Sequence, residues 1–256
     1  MILYFTATGN SLRAAEKIAS ATKDRLFDIG RAVRHGGFKV ELAENEPLGF
    51  VFPVFAWTLP GVVELFIRKM EITGYTGQYT YGVFTCGESA GGTEAALAQS
   101  LSQRGIALHY TAEVVMPDNY IIWSHLLPPE QLGKILSAAD GQIERIAAAV
   151  SARERKALSA KKPEMPCLPM EDVSTAAGCS KLRATEKCTA CGLCRAICPT
   201  GCIRQSGDNR PRWEGQCTQC LACLHRCPQG AIEWEKDTVG KKRYVHPKVR
   251  LHDSYE

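Results

Sequence analysis

The chain has 256 residues, 45% hydrophobic and 23% charged, which suits one full core with a smaller module and excludes disordered and fibrous classes. Its formal charge of +4 is modest, and its twelve cysteines far exceed what a core of this size needs for stabilisation. The opening MILYF has no basic n-region and the polar TATGNS interrupts the apolar run, so no secretory leader is expected. A cytoplasmic location follows as the expectation, and there cysteines point to metal or redox use rather than disulfides.

Met1 to Phe5 reads as a short apolar strand, and Leu12 to Ala21 has helical spacing. A weak strand signal lies between Arg25 and Leu42. Leu48 to Ile67 is as long as a membrane span and carries only Glu64 as a charge, but Pro53 and Pro60 would each break a helical hydrogen bond. That segment is better read as a buried strand over Gly49 to Val54, a loop, and a helix over Val62 to Met70, so no membrane span is expected. A strand over Tyr79 to Cys86, a helix over Thr93 to Arg104 and a strand over Ala107 to Met116 follow. A long helix opens at Pro128 and Pro129, with Leu132, Ile135, Leu136, Ala139, Ile143, Ile146, Ala147 and Val150 on one face. Alternating strands and helices predict right-handed crossovers and a doubly wound parallel α/β sheet over residues 1–158.

Lys161 to Pro169 holds three prolines in nine residues and reads as part of a linker over 159–180. Beyond it, Cys188, Cys191, Cys194 and Cys198 are repeated at Cys217, Cys220, Cys223 and Cys227 with a constant offset of 29 residues. The flanks repeat too, CPTGCI against CPQGAI. Each copy is C-x2-C-x2-C-x3-C-P, and three cysteines on one tight loop can occupy three corners of a cuboidal cluster while the fourth cannot reach the same cube. Zinc would leave thiols unused in such a run.

Residues 181–236 thus resemble the two-cluster bacterial ferredoxins, a small α+β domain. The resemblance implies two 4Fe-4S clusters with crossed ligation, one held by Cys188, Cys191, Cys194 and Cys227, the other by Cys217, Cys220, Cys223 and Cys198. Each oxidised cluster with its thiolates carries about −2, which brings the chain to roughly zero and removes the argument for nucleic-acid binding. Cys86, Cys167, Cys179 and Cys202 remain as packing or idle thiols, His225 is expected to face outward, and the basic residues of the tail over 237–256 are expected to be solvated.

The strand-to-helix loop Thr6-Ala7-Thr8-Gly9-Asn10-Ser11 offers hydroxyls, an amide and backbone N–H groups to an anion. It lacks the lysine and second glycine of a nucleoside-triphosphate loop and the three glycines of a dinucleotide fingerprint, which leaves a monophosphate. T-x-T-G-N-S after the first strand resembles the FMN phosphate loop of flavodoxins. That resemblance implies a five-stranded flavodoxin-like domain whose flavin ring lies against Pro53, Val54, Phe55, Ala56, Trp57 and Thr58 and against Thr85, Cys86, Gly87, Gly91 and Gly92. No glycine occurs between Phe55 and Pro60, so that loop is expected to avoid left-handed backbone, which costs Ala56, Trp57 or Thr58 on the order of 1 kcal/mol. The segment Met116 to Trp123 is open to three roles: covering the flavin, lining a substrate pocket, or packing under the last helix.

Together the two regions resemble flavodoxin/ferredoxin fusion proteins. The resemblance implies an FMN- and 4Fe-4S-dependent oxidoreductase that takes electrons from a donor protein, such as a ferredoxin or ferredoxin reductase, and passes them to a small-molecule acceptor. The competing reading is a carrier between redox proteins without a substrate of its own. Glu88 and Cys86 are the candidates for proton supply, and no catalytic residue is assigned.

Overall fold

The computed structural model describes residues 1–158 and 179–251. Cys167 and most of the expected linker fall outside them. The central sheet is built from β1 (Ile2–Tyr4), β2 (Leu26–Asp28), β4 (Leu48–Pro53), β6 (Thr80–Cys86) and β7 (Tyr110–Val115), in the order β2-β1-β4-β6-β7 and parallel throughout. Counting only these five strands, the order is 2-1-3-4-5, the doubly wound order of flavodoxins.

Residue alternation assigns the two faces. Ile2 and Tyr4 point with Val51, Tyr81 and Val83 toward α1 (Asn10–Thr22) and α5 (Pro129–Ser151). Leu3 and Phe5 point with Phe50, Phe52 and Phe84 toward α2 (Ile29–His35), α3 (Gly61–Lys69) and α4 (Thr93–Ser102). The middle strands β4 and β6 are almost wholly buried, as their continuous apolar runs require when helices cover both faces. Gly49 is needed for packing: a side chain there would lie 2.4 Å from the ring of fully buried Tyr81.

The stretch between Arg25 and Leu42 yields more than the weak strand expected. It contains β2, α2 and β3 (Lys39–Glu41), and β3 pairs in parallel with β5 (Glu71–Thr73) outside the main sheet. No helix of the described residues is long and apolar enough to cross a membrane.

The cysteine-rich region is small and pseudo-repeated. β8 (Leu182–Ala184) pairs antiparallel with β11 (Ile232–Trp234), and β9 (Ile203–Gln205) with β10 (Pro211–Trp213). Two one-turn helices, α6 (Leu193–Ala196) and α7 (Ala222–Arg226), follow Gly192 and Leu221, both in left-handed backbone at φ 79° and 57°. The hydrophobic core of this region contains Leu182, Ile203, Leu224, Ile232 and Trp234, together with Ile121 and Ile122 from beyond β7. Met116 itself shares the apolar cluster of Ala139, Ile143 and Ile146 of α5, which is the expected packing under the last helix, and the segment after it runs on into the second region. That segment is the apolar graft that fastens the second region to the first.

Candidate cofactor sites

Two clefts lie in the cysteine-rich region. The first, about 460 Å³ with its open mouth included, is lined by Cys188, Cys191, Cys194 and Cys227. The second, about 340 Å³, is lined by Cys198, Cys217, Cys220 and Cys223. Each cleft thus gathers three cysteines of one repeat and the fourth of the other. Tetrahedral zinc holds its sulfurs about 3.8 Å apart. Among the described residues no group of three or more His, Cys, Asp or Glu converges closely enough to hold a single metal ion. The four thiols at each cleft are the donor set that a 4Fe-4S cluster takes.

Cys202 also lines the second cleft, with its Sγ 3.6 Å from that of Cys198. It packs as expected, yet in contact with a candidate ligand. The clefts also differ in exposure: Cys191 is exposed at the first, whereas Cys198 and Cys223 are buried at the second. The second cleft abuts the N-terminal region, because Ile197, Ala222 and Cys220 pack on Ala7 of the T-x-T-G-N-S loop.

That loop runs from β1 into α1 with Gly9 at φ 103°. The first intrahelical bond is Arg13 N–H to Gly9 O, so the N–H groups of Asn10, Ser11 and Leu12 precede the helix's own bonding. All three residues are buried. N–H groups outside the intrahelical ladder at a helix start fit a phosphate, and they are the loop's main offer to FMN.

The side chains are more engaged than the sequence implied. Thr8 Oγ1 accepts from Asn119 Nδ2, Ser11 and Thr85 hydroxyls meet at 2.7 Å, and Asn10 donates to Pro117 O. Thr6 Oγ1 accepts from Gly9 N–H and closes the turn.

Phe55 and Thr58 exchange backbone hydrogen bonds of 3.1 and 3.0 Å across a two-residue turn. Ala56 and Trp57 at its tip have φ of 48° and 59°, against the expectation from the missing glycine. Both central residues of this tight hairpin need positive φ to match strand twist, and closure of the turn wins over the local penalty. Strain on the order of 1 kcal/mol per residue is held there.

The turn is clamped by the second loop: Gly92 N–H donates to Trp57 O at 2.9 Å, and a side chain on Gly91 would lie 2.6 Å from Trp57 Cβ. Beneath it, Thr58 Oγ1 is buried without a hydrogen-bond partner. A buried hydroxyl left so costs about 1–3 kcal/mol, which a ligand with a polar edge would recover. The strained turn, the glycines and the orphan hydroxyl fit the polar edge of a flavin ring, with the Trp57 indole, 51% exposed, available for stacking.

Cys86 is buried, and burial pushes its thiol up to about 12, so it stays protonated and poor in reactivity. Cys179 is likewise buried, with Sγ 3.3 Å from Gly215 O. Glu88 lies exposed on the second loop.

Two further expectations are overturned. His225 does not face outward: it is 3% exposed, with Nε2 2.8 Å from Asn119 O and Nδ1 accepting from Tyr244 N–H. Burial depresses its pKa to about 4, so the ring is neutral and bridges the two regions. Nor is the basic tail a purely solvated face. Lys241 Nζ donates to Ile121 O and Ser124 O, Arg243 pairs with buried Glu233 at 2.7 Å, and Tyr244 and His246 are buried. Sequence reasoning missed these residues, because in Tyr244-Val245-His246 it is the apolar valine that stays exposed and the polar-tipped rings that are buried, the reverse of what alternation would suggest.

Residues 187–232 match the family model of the 4Fe-4S dicluster domain. A search of curated proteins finds no match to the chain. Among solved structures the chain is similar to azoreductase AzrA, at 13% identity over 59% of this chain and 99% of that one, with a TM-score of 0.37. It is also similar to the Trp repressor binding protein from Bacillus subtilis, at 13% identity over 61% and 99%, TM-score 0.37. A third is an FMN-dependent NADH-azoreductase from Bacillus anthracis in complex with FMN, at 10% identity over 59% and 99%, TM-score 0.35. The flavodoxin-like assignment rests on the strand order of this chain, not on those scores.

Proposed function

We propose that the chain is a redox enzyme that receives low-potential electrons at two 4Fe-4S clusters and delivers them through FMN to a small-molecule acceptor. Residues 1–158 would form the FMN-binding domain and residues 181–236 the two-cluster domain, joined by 159–180. Clusters pass single electrons, whereas flavin accepts them singly and releases them in pairs. Cys188, Cys191, Cys194 and Cys227 would hold one cluster and Cys198, Cys217, Cys220 and Cys223 the other. The N–H groups of the Thr6 to Ser11 loop would hold the phosphate, and the Phe55–Thr58 turn with Gly91 and Gly92 would carry the ring.

The observation that carries this reading is the contact of Cys220, Ile197 and Ala222 with Ala7. On this reading the second cleft would stand beside the flavin loop, and the first, with its exposed Cys191, would be the entry for electrons from a donor protein. A carrier needs only one exposed redox face, whereas an apolar internal seam between cluster and flavin suits transfer inward to a bound acceptor.

Anaerobically purified protein should contain about eight iron, eight sulfide and one FMN. Under reduced methyl viologen the flavin absorbance should bleach, and an added acceptor should restore it in repeated turnovers. Stoichiometric zinc without sulfide would refute the reading; reoxidation only by other redox proteins would move it to the carrier.

A further inference from the structure

The segment Lys241 to Leu251 leaves the cysteine-rich region and crosses the back of the Thr6 to Ser11 loop. Tyr244 OH donates to Asn10 Oδ1 at 2.7 Å, and His246 N–H donates to Thr8 O at 2.8 Å. Val249 and His246 sit against Gly9 so closely that a side chain there would lie 2.5 Å from Val249 Cγ2 and 2.9 Å from His246 Cβ. Val249 and Leu251 join the apolar cluster under α1 and α5. Lys248 then pairs with Asp140, which Arg13 of α1 already holds through Nε at 2.9 Å.

The contacts made with the loop itself meet a carbonyl, the Asn10 side chain or the bare Cα of Gly9. None uses the N–H groups of Asn10, Ser11 and Leu12. The tail therefore grips the loop by its outer atoms and leaves its anion-binding donors unspent. Loops that must point several N–H groups at one phosphate lose entropy on ordering, and a brace that orders them beforehand raises affinity without touching the ligand.

We propose that the tail is a positioning element for the FMN phosphate, with Tyr244 and Val249 fixing the loop from behind, so that flavin retention depends on a segment contributed by the cluster-bearing half. The proposal rests on the FMN reading above. It also assigns a second reason for glycine at position 9, beyond its φ of 103°: no side chain fits between the loop and the brace.

The test compares two flavins that differ only in phosphate. The full-length, cluster-loaded chain is titrated with FMN and with riboflavin by fluorescence quenching, as wild type, Tyr244→Phe and Val249→Ala. Tyr244→Phe removes one hydrogen bond from the brace and should weaken FMN about five- to tenfold, with riboflavin changed less than twofold and iron and sulfide content intact. Val249→Ala, which breaks no hydrogen bond, should shift FMN in the same direction. Equal losses for both flavins would show a merely structural role, and unchanged or tighter FMN binding would show that the tail is idle or competes with the phosphate; each overturns the proposal. Wild-type protein that takes up neither flavin would instead refute the FMN reading itself.

Discussion

Replacing Cys198 tests how the two repeats share their ligands. Cys198 follows Cys194 by four residues, yet it lines the cleft of Cys217, Cys220 and Cys223. A single alanine is ambiguous, because the Cys202 thiol lies 3.6 Å away on the same cleft and remains within reach of the site. The informative variant is therefore Cys198→Ala with Cys202→Ala, which withdraws both thiols and leaves the first cleft's four cysteines untouched. Crossed ligation predicts that iron and sulfide fall from about eight to about four of each, the loss coming from the buried second cluster. In the proposed relay that cluster would stand between the flavin and the first cluster, so reduction of the flavin by a protein donor should slow by orders of magnitude while the first cluster still reduces. Metal analysis and electron paramagnetic resonance of the dithionite-reduced protein read both effects. Retention of the second cluster's signal with loss of the first would refute the crossed arrangement, and full iron content would remove Cys198 from the ligands.

Ala56→Gly should relieve left-handed strain of about 1–2 kcal/mol against a glycine entropy cost of about 0.5–1 kcal/mol. The net gain of about 0.5–1 kcal/mol should raise the thermal midpoint by up to a few degrees, measured by circular dichroism. Thr8→Ala with Ser11→Ala removes the hydroxyl bonds to Asn119 and Thr85 that shape the loop and should release FMN while iron content stays constant; unchanged FMN would take the loop out of the site. His246, buried and also repelled by Arg13, has its pKa lowered to about 4. As pH falls below about 6.5 the unfolded chain takes up this proton before the folded one does, so the tail's stability should be present above that pH and lost progressively towards pH 4. Urea midpoints measured across that window should depend less steeply on pH in His246→Gln, with buried His225 supplying the slope that remains.

The central strands were legible because burial on both faces demands unbroken apolar runs, and β4 and β6 meet that demand over six and seven residues. The side pair β3 and β5 was not, since three residues each carry no period to detect. The partition of cysteines between clefts was legible only through the resemblance to two-cluster ferredoxins, since spacing by itself says no more than that the fourth thiol of each run cannot reach the same cube as the other three. His225 was misjudged for a related reason: once the ligand tally was full, nothing local indicated that its ring would meet Asn119 O, more than a hundred residues away in sequence.

The tail shows why a site can be readable in its chemistry and hidden in its mechanics. The T-x-T-G-N-S loop announces an anion through residues that sit side by side. Its brace is joined to it by a bond between Tyr244 and Asn10, 234 positions apart, which no local pattern can report. Closing so long a loop costs little more than closing a short one, because the entropy penalty grows only logarithmically with length. What makes the contact persist is that intervening chain is already pinned, by Ile121 and Ile122 in the second core and by Lys241 on the carbonyls that follow them. The apolar cluster that takes Cys220 to Ala7 and the bond of Tyr244 to Asn10 are thus two further ties between the regions that Ile121 and Ile122 join. If that junction were loosened, for example by Ile121→Ala, flavin retention and electron transfer between the halves should fail together, and a variant that loses one while keeping the other would show that the two contacts are independent.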